Sequence, residues 1–410
     1  MRRLSADYIF PIASEPIKNG VITIDDDGLI IDVESSTTNP QSEIEHYKGI
    51  ICPGFINTHC HIELSHLRSQ VSEHLGISGF IKAIVSKRTA SSKEFIQEAI
   101  EAAEREMSQN GIVAVGDISN NNSSFKQKEK KNLLYHTFVE VFDLNPDRAE
   151  ESFNKGLSLQ QELSQFTTHS SIIPHAPYTV SESLLSLINK HAAANKSIIS
   201  IHNQESEAEN ELFISHSGAI YEIFKAMGID TNQLRITGVN SLQSTLSYLT
   251  KASKLLLVHN TYATKEDIKW AKKLMQNSPV SNPSERSASS NASPIQHLYW
   301  CTCPNANLYI ENKLPDYNFF IEEDVPVTIG TDSLASNWSL SILDELKTIS
   351  NYYPHIPLQT LLLWATKNGA DFLGFTHLGT IEKGKKPGLN LLKNIKGLRI
   401  SEKTEIQKLM

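Results

Sequence analysis

The sequence predicts an α/β protein: a closed (β/α)8 barrel of the TIM type, with a small β-domain formed by its N- and C-terminal segments. Three observations carry this expectation. Eight short apolar runs recur between 51 and 330, amphipathic stretches fall between or after them, and several of the runs end in histidine or aspartate. Strands alternating with helices give a parallel sheet, and eight such units suit a closed barrel better than an open sheet. The barrel is expected over 51–374 and the composite β-domain over 1–50 and 375–410.

The first fifty residues carry no helical period. They read as short strands at 8–10, 20–25 and 29–33, parted by the turn residues Asp26, Asp27 and Gly28. From Ile51 the texture changes. Strands are predicted at 51–58, 112–118, 134–142, 171–175, 197–202, 254–259, 298–301 and 326–330, each a short apolar run. Helices are predicted at 92–109, 149–165, 182–195, 265–275 and 340–350, where apolar residues recur at i, i+3 and i+4. Beyond Leu373, strand-like runs at 379–381 and 389–392 are expected to pair with the start of the chain. The segment 277–294 is rich in Ser, Asn and Pro. It lies between a helix and the next strand, so it is expected to be a tolerated loop on the bottom face, away from the chemistry.

Composition narrows the function classes. The 410 residues carry 38 Lys+Arg against 46 Asp+Glu, a net charge of −8, which argues against a phosphate-backbone partner. Hydrophobic residues at 40% and charged residues at 20% exclude a disordered chain. No apolar run approaches the roughly 20 residues of a membrane helix. Met1-Arg2-Arg3 is followed by Ser5, Asp7, Ser14 and Glu15, which is no signal-peptide core. Four cysteines are too few for a disulfide framework. The expectation is a soluble, cytoplasmic protein with a small-molecule substrate and no nucleic-acid or membrane partner; a homo-oligomer is compatible with it.

The strongest motif is Pro53-Gly54-Phe55-Ile56-Asn57-Thr58-His59-Cys60-His61. Two histidines at i, i+2 at a strand end point to the same side, which in a barrel is the interior. Spacing alone leaves an ordinary structural pair as an alternative. Three further runs change the balance: Ile198 to His202 with Glu205 three residues on, Lys254 to His259, and Val325 to Asp332. Polar residues at the C-terminal ends of different barrel strands converge on one mouth. Glu63 and His66, just past the first motif, are candidate pocket residues. Cys60 alternates away from the histidine pair, and Cys60, Cys301 and Cys303 read as buried core thiols.

In the order and strand placement of these runs the sequence resembles the amidohydrolase superfamily, specifically its mononuclear-metal deaminase branch. The likeness extends through His175-Ala176-Pro177-Tyr178-Thr179, Cys303-Pro304-Asn305-Ala306-Asn307-Leu308 and Gly330 to Asn337. The resemblance implies that His59, His61, His202 and Asp332 ligate one divalent metal, Zn²⁺ with Fe²⁺ as the alternative. It implies that Glu205 shuttles protons, His259 orients the attacking water and Asp332 holds a second proton. It also implies a substrate contact from His175, against a packed strand-end histidine as the alternative; Glu63, against a plain surface residue, and Ser336 are further candidate substrate-binding residues. Three imidazoles and a carboxylate suit a borderline-soft divalent ion that keeps one position open. The run 171–175 contains no Lys of the kind that bridges two metals in the ring-opening members, and no Pro-Cys-x-x-Cys zinc run is present.

The runs Asn57 to Ser65, Ser78-Gly79-Phe80 and Leu334 to Leu346 resemble aminodeoxyfutalosine deaminases of the alternative menaquinone pathway. That likeness implies removal of the 6-amino group from a purine nucleoside. Deaminases of S-adenosylhomocysteine, methylthioadenosine and guanine, chlorohydrolases and imidazolonepropionase-like enzymes are the alternatives, with a non-catalytic scaffold as the non-enzyme reading. The stretch 206–253 is expected to form a lid or tail pocket. Within it Arg235 reads as a solvated surface residue, with a substrate carboxylate as the rival partner.

Overall fold

The computed structural model describes residues 1–35, 43–276 and 297–410. Five strands precede the barrel: β1 (Arg2–Ile9), β2 (Ile17–Lys18), β3 (Val21–Ile24), β4 (Ile30–Glu34) and β5 (Glu45–Pro53). The barrel strands are β6 (Phe55–Cys60), β7 (Ile112–Ser119), β8 (Leu134–Val141), β9 (Ser170–Pro174), β10 (Ile198–Asn203), β11 (Lys254–His259), β12 (Leu298–Thr302) and β13 (Val327–Ile329). Two more, β14 (Leu389–Lys393) and β15 (Glu405–Lys408), close the chain.

The terminal strands make one sheet in the order β15-β14-β5-β1-β3-β4, with β2 on the edge of β1. Its pairs are antiparallel except β1 with β5. It has its own apolar layer, including Leu4, Ile22, Ile24, Ile51, Leu389 and Leu391, apart from the barrel core. The run 51–58, read above as one strand, is therefore two: β5 belongs to the terminal sheet and β6 opens the barrel. The break is at Gly54, where a Cβ would overlap Val113 Cγ1 and the carbonyl oxygen of Pro387. Only glycine lets the chain pass so close to both layers. The run 379–381 forms no strand, although Ile381 packs into the terminal layer.

The barrel consists of two four-stranded parallel sheets, β6-β7-β8-β9 and β10-β11-β12-β13. Two irregular seams join them. At one, His202 N donates to His175 O at 3.0 Å; at the other, Thr331 N and Asp332 N both donate to His59 O at 3.0 Å. Closure thus falls on the residues at the strand ends, where the sequence carries its histidines and aspartate. The predicted helix at 92–109 is Lys93–Gln109, capped by Ser92 Oγ accepting from Phe95 N. It buries Ile100, Ala103 and Met107. Complete burial of a side chain such as Ile or Met contributes about 1.5–3 kcal/mol. The segment 277–294 and its assignment to a bottom loop lie outside the described residues. Among the described residues no helix is long and apolar enough to cross a membrane.

Helices Gly76–Lys87, Glu207–Ser215 and Gly218–Ala226 follow β6 and β10 and meet over the barrel top. Their contact is a separate apolar cluster that includes Ile77, Tyr178, Leu212, Phe213, Ile220 and Phe224. Arg235 fixes this layer and is not solvated. Its guanidinium donates to Ser244 O at 3.0 Å, Thr245 Oγ1 at 3.1 Å and Pro177 O at 3.5 Å. It also lies 5.3 Å from the Phe213 ring and 5.5 Å from the Tyr248 ring. Arg235→Ala is expected to lower unfolding free energy by about 1–3 kcal/mol, because buried carbonyls lose a charged donor. A denaturant titration checks it, and an unchanged midpoint would return Arg235 to the surface class.

Candidate active site

β6 delivers its histidines through a clamp on the opposite side of the seam. Asn57 Nδ2 donates to Thr331 Oγ1 at 2.7 Å and Asn57 Oδ1 accepts from Thr331 N at 3.1 Å. Thr58 Oγ1 donates to Ile329 O at 3.0 Å. These bonds set the turn in which Asp332 takes a left-handed φ of 57°. Gln204 (45°), His259 (72°) and Asn260 (57°) share that region at the ends of β10 and β11. Non-glycine residues seldom occupy it, and such strain clusters where geometry serves chemistry. Space is equally tight beneath: a Cβ on Gly330 would stand 2.8 Å from His59 Cβ and 2.9 Å from Cys303 Sγ.

The side chains converge. His59 Nε2 and His61 Nε2 are 3.2 Å apart, and they lie 3.5 and 3.4 Å from Asp332 Oδ1. One donor atom from each of His59, His202, His259 and Asp332 falls within 4.8 Å of the others, and all four residues are buried. His202 Nδ1 donates to His175 O at 2.7 Å, so its lone pair is on Nε2. His259 Nδ1 donates to Asn307 Oδ1 at 2.8 Å, leaving Nε2 without a protein hydrogen bond, 3.7 Å from Glu205 Oε1.

Burial disfavours the charged imidazoles, lowering His59, taking His61 down to about 3 and His202 well below its ordinary value. Burial opposes charge on His259 too, but the Glu205 and Asp332 carboxylates outweigh it and raise that ring. Burial alone would raise Asp332, yet His59, His61 and His259 hold it well below the carboxylate range. Glu205 has less compensation, and burial pushes it up to about 7. Imidazoles and one carboxylate sharing a buried pocket, with His259 Nε2 left without a hydrogen bond, form a donor set that fits a divalent cation.

The remaining predicted residues surround this group. Ser336 Oγ donates to Asp332 Oδ2 at 2.5 Å, which leaves Oδ1 to face the histidine pair. His175 lies tilted against His202, ring centres 4.8 Å apart and planes 49° from parallel, and its Nδ1 meets Thr179 Oγ1 at 2.9 Å. Glu63 is buried, and its Oε2 accepts from Asn120 N at 3.1 Å and Asn121 N at 3.4 Å. His66 has Nδ1 3.1 Å from the Glu63 carbonyl and Nε2 3.2 Å from that of Arg88, and a neutral ring donates to one of them. All four cysteines are buried free thiols.

Three site residues escaped the sequence reading. Glu209 accepts from Gln204 N at 2.9 Å and Glu205 N at 3.1 Å, bracing the strained turn that carries Glu205. Asn307 sets the His259 tautomer. Glu140, at the end of β8, lies with Oε1 3.8 Å from His202 Nδ1. A carboxylate within the apolar run Phe138-Val139-Glu140-Val141 was the available signal for the last, since such a group is seldom buried without purpose.

The model of the Amidohydrolase family matches residues 50–409. An aminodeoxyfutalosine deaminase from Nitratiruptor sp. is 28% identical over 369 residues, covering 88% of this chain and 83% of that one. The structure of Helicobacter pylori aminofutalosine deaminase in complex with methylthio-coformycin is similar with a TM-score of 0.77, at 21% identity over 97% of this chain and 93% of that one. A Xanthomonas campestris adenosine deaminase with bound zinc gives 0.68, at 19% identity over 95% and 84%. The family match spans the whole barrel and reaches into the last strand of the terminal sheet, so strand-end chemistry and fold point the same way: the chain belongs to the amidohydrolase family and is a hydrolytic enzyme of C–N bonds.

Proposed function

We propose that the protein is a metal-dependent deaminase of a 6-aminopurine nucleoside, with aminodeoxyfutalosine the favoured substrate. The observation that carries the reading is Glu205. It is a buried carboxyl pushed up to about 7, facing His259 Nε2 at 3.7 Å beside a cluster of ligand-type atoms. The names of the Nitratiruptor relative and the Helicobacter structural neighbour support the substrate.

His59, His61, His202 and Asp332 would hold one divalent ion, Zn²⁺ or alternatively Fe²⁺. Such an ion supplies Lewis acidity, lowering the pKa of a water toward ~7. Glu205 takes a proton from water and returns it to the ring nitrogen beside the amino-bearing carbon, as a group with a pKa near the working pH can. His259, held by Asn307, stabilises charge developing at the reacting centre. Asp332 takes the second proton and passes it to the departing amine, so that water and the amine become a ring carbonyl and ammonia. The layer of helices above the barrel would exclude bulk water.

A panel of adenine nucleosides, guanine and a chlorinated triazine, scored for ammonia or chloride release, tests the reading. Adenine nucleosides with an extended 5′ substituent are expected to give the highest kcat/KM. Shortening that tail should lower kcat as well as affinity, because remote binding energy acts in the transition state. Equal or better turnover of guanine or the triazine overturns the substrate assignment.

A further inference from the structure

Two buried acidic side chains, Glu140 in β8 beside His175 and His202 and Glu63 just past β6, each keep one oxygen without a hydrogen bond. Glu140 is 6% exposed and Glu63 2%. Asn120, just past β7, ties them together. Its backbone N–H serves Glu63 Oε2 at 3.1 Å, and its side-chain Nδ2 serves Glu140 Oε2 at 2.8 Å. Glu140 Oε1 and Glu63 Oε1 have no hydrogen-bond partner. The nearest cation to Glu63 is Arg88, whose Nη2 stands 3.8 Å from Oε1. A buried acceptor left unpaired costs free energy, so a donor that arrives with the ligand is the economical explanation.

A second cation is a poorer fit at Glu140. Glu140, His175 and His202 each bring a ligand-type atom within 4.8 Å of the others. However, the His202 nitrogen nearest Glu140 is Nδ1, and it already donates its proton to the His175 carbonyl at 2.7 Å. A protonated nitrogen offers no lone pair. Glu140 and His175 alone are two ligands, fewer than a metal site requires. What remains is an acceptor-only oxygen that wants a hydrogen-bond donor.

We propose that Glu140, braced through Asn120 against Glu63, is a specificity-determining residue that accepts a hydrogen bond from a sugar hydroxyl of the substrate. The inference rests on the nucleoside reading above and deepens it. In a nucleoside whose amino group is at the reacting centre, the donors left over are the sugar hydroxyls. One of them suffices for Glu140 Oε1, which has no hydrogen-bond partner and lies beside His175 and His202. A site built around a buried acceptor rejects the analogue that lacks the donor, because the acceptor is then stranded.

The test compares adenosine, 2′-deoxyadenosine and 3′-deoxyadenosine with the wild-type metalloenzyme, E140A and E140Q, metal content and melting temperature being measured on each. The wild type is expected to favour adenosine over at least one deoxy analogue by about 10–100-fold in kcat/KM. Glu140→Ala should lower kcat/KM for adenosine by that factor and leave the affected analogue within about threefold of its wild-type value. Glu140→Gln, isosteric and safer for the fold, should fall between, since a neutral amide makes a weaker bond than a carboxylate. A role confined to structure would depress all three substrates alike. An unchanged ratio in both variants overturns the assignment alone. Absence of ammonia release from all three nucleosides with the metal-loaded wild type overturns the nucleoside reading and this assignment with it.

Discussion

Glu205→Gln is expected to keep its metal and its fold while kcat falls by about 10²–10⁴-fold, the usual contribution of a positioned acid–base group. Glutamine matches glutamate in shape, and the clamp from Glu209 onto the backbone of Gln204 and Glu205 does not involve the replaced atoms. What is lost is the ability to take a proton. Stability should not suffer: burial raises the Glu205 carboxyl to about 7, so its charged form is disfavoured in the fold, and a neutral amide relieves that cost. The measurements are steady-state turnover, elemental analysis and a thermal melt on the same preparation. Loss of metal from the variant would make Glu205 a ligand and overturn its role as proton carrier. Wild-type turnover with the metal retained would remove it from the mechanism altogether.

The histidines and aspartate were legible because two local rules coincide at them. Alternation with period two fixes which side of a strand a residue faces, and barrel topology fixes that the ends of all strands meet. Ile198 to His202 and Lys254 to His259 were therefore readable one strand at a time. The boundary between β5 and β6 was not, because apolar residues continue through both and the break depends on how closely Gly54 approaches Val113 and Pro387, far away in sequence. Arg235 misled for a related reason: its partners are the carbonyls of Pro177 and Ser244 and the rings of Phe213 and Tyr248, none of which marks it in sequence. The stretch 206–253 was legible as a long insertion between β10 and β11, but not its helices, whose apolar residues pack with those of helix Gly76–Lys87. Glu140 and Glu209 show the limit most clearly. Glu140 depends on Asn120, twenty residues away, and Glu209 on the backbone N–H groups of Gln204 and Glu205, which only the strained turn between them brings within its reach, and no period announces either.

Removal of the metal is expected to have the largest effect of any perturbation. The protein as isolated should carry one equivalent of a divalent ion per chain, and chelation should take deamination to background, with recovery on adding back one equivalent of Zn²⁺ or Fe²⁺. The size of the effect follows from the chemistry the ion supplies: without it the pKa of water stays near ~15.7 instead of falling toward ~7, and Glu205 faces a far weaker acid. The count follows from the residues. His59 Nε2, His61 Nε2 and Asp332 Oδ1 share one small space, and His202 has only Nε2 to offer because Nδ1 is committed to the His175 carbonyl. Asp332 is further fixed by Ser336 on its other oxygen, so one carboxylate oxygen remains for the ion. His202→Ala and Asp332→Ala should each lose the metal, in contrast with Glu205→Gln, and elemental analysis of the three side by side separates ligand from proton carrier. Full activity at zero equivalents, or a requirement for two, would overturn the single-ion site while leaving the barrel and its converging strand ends as described.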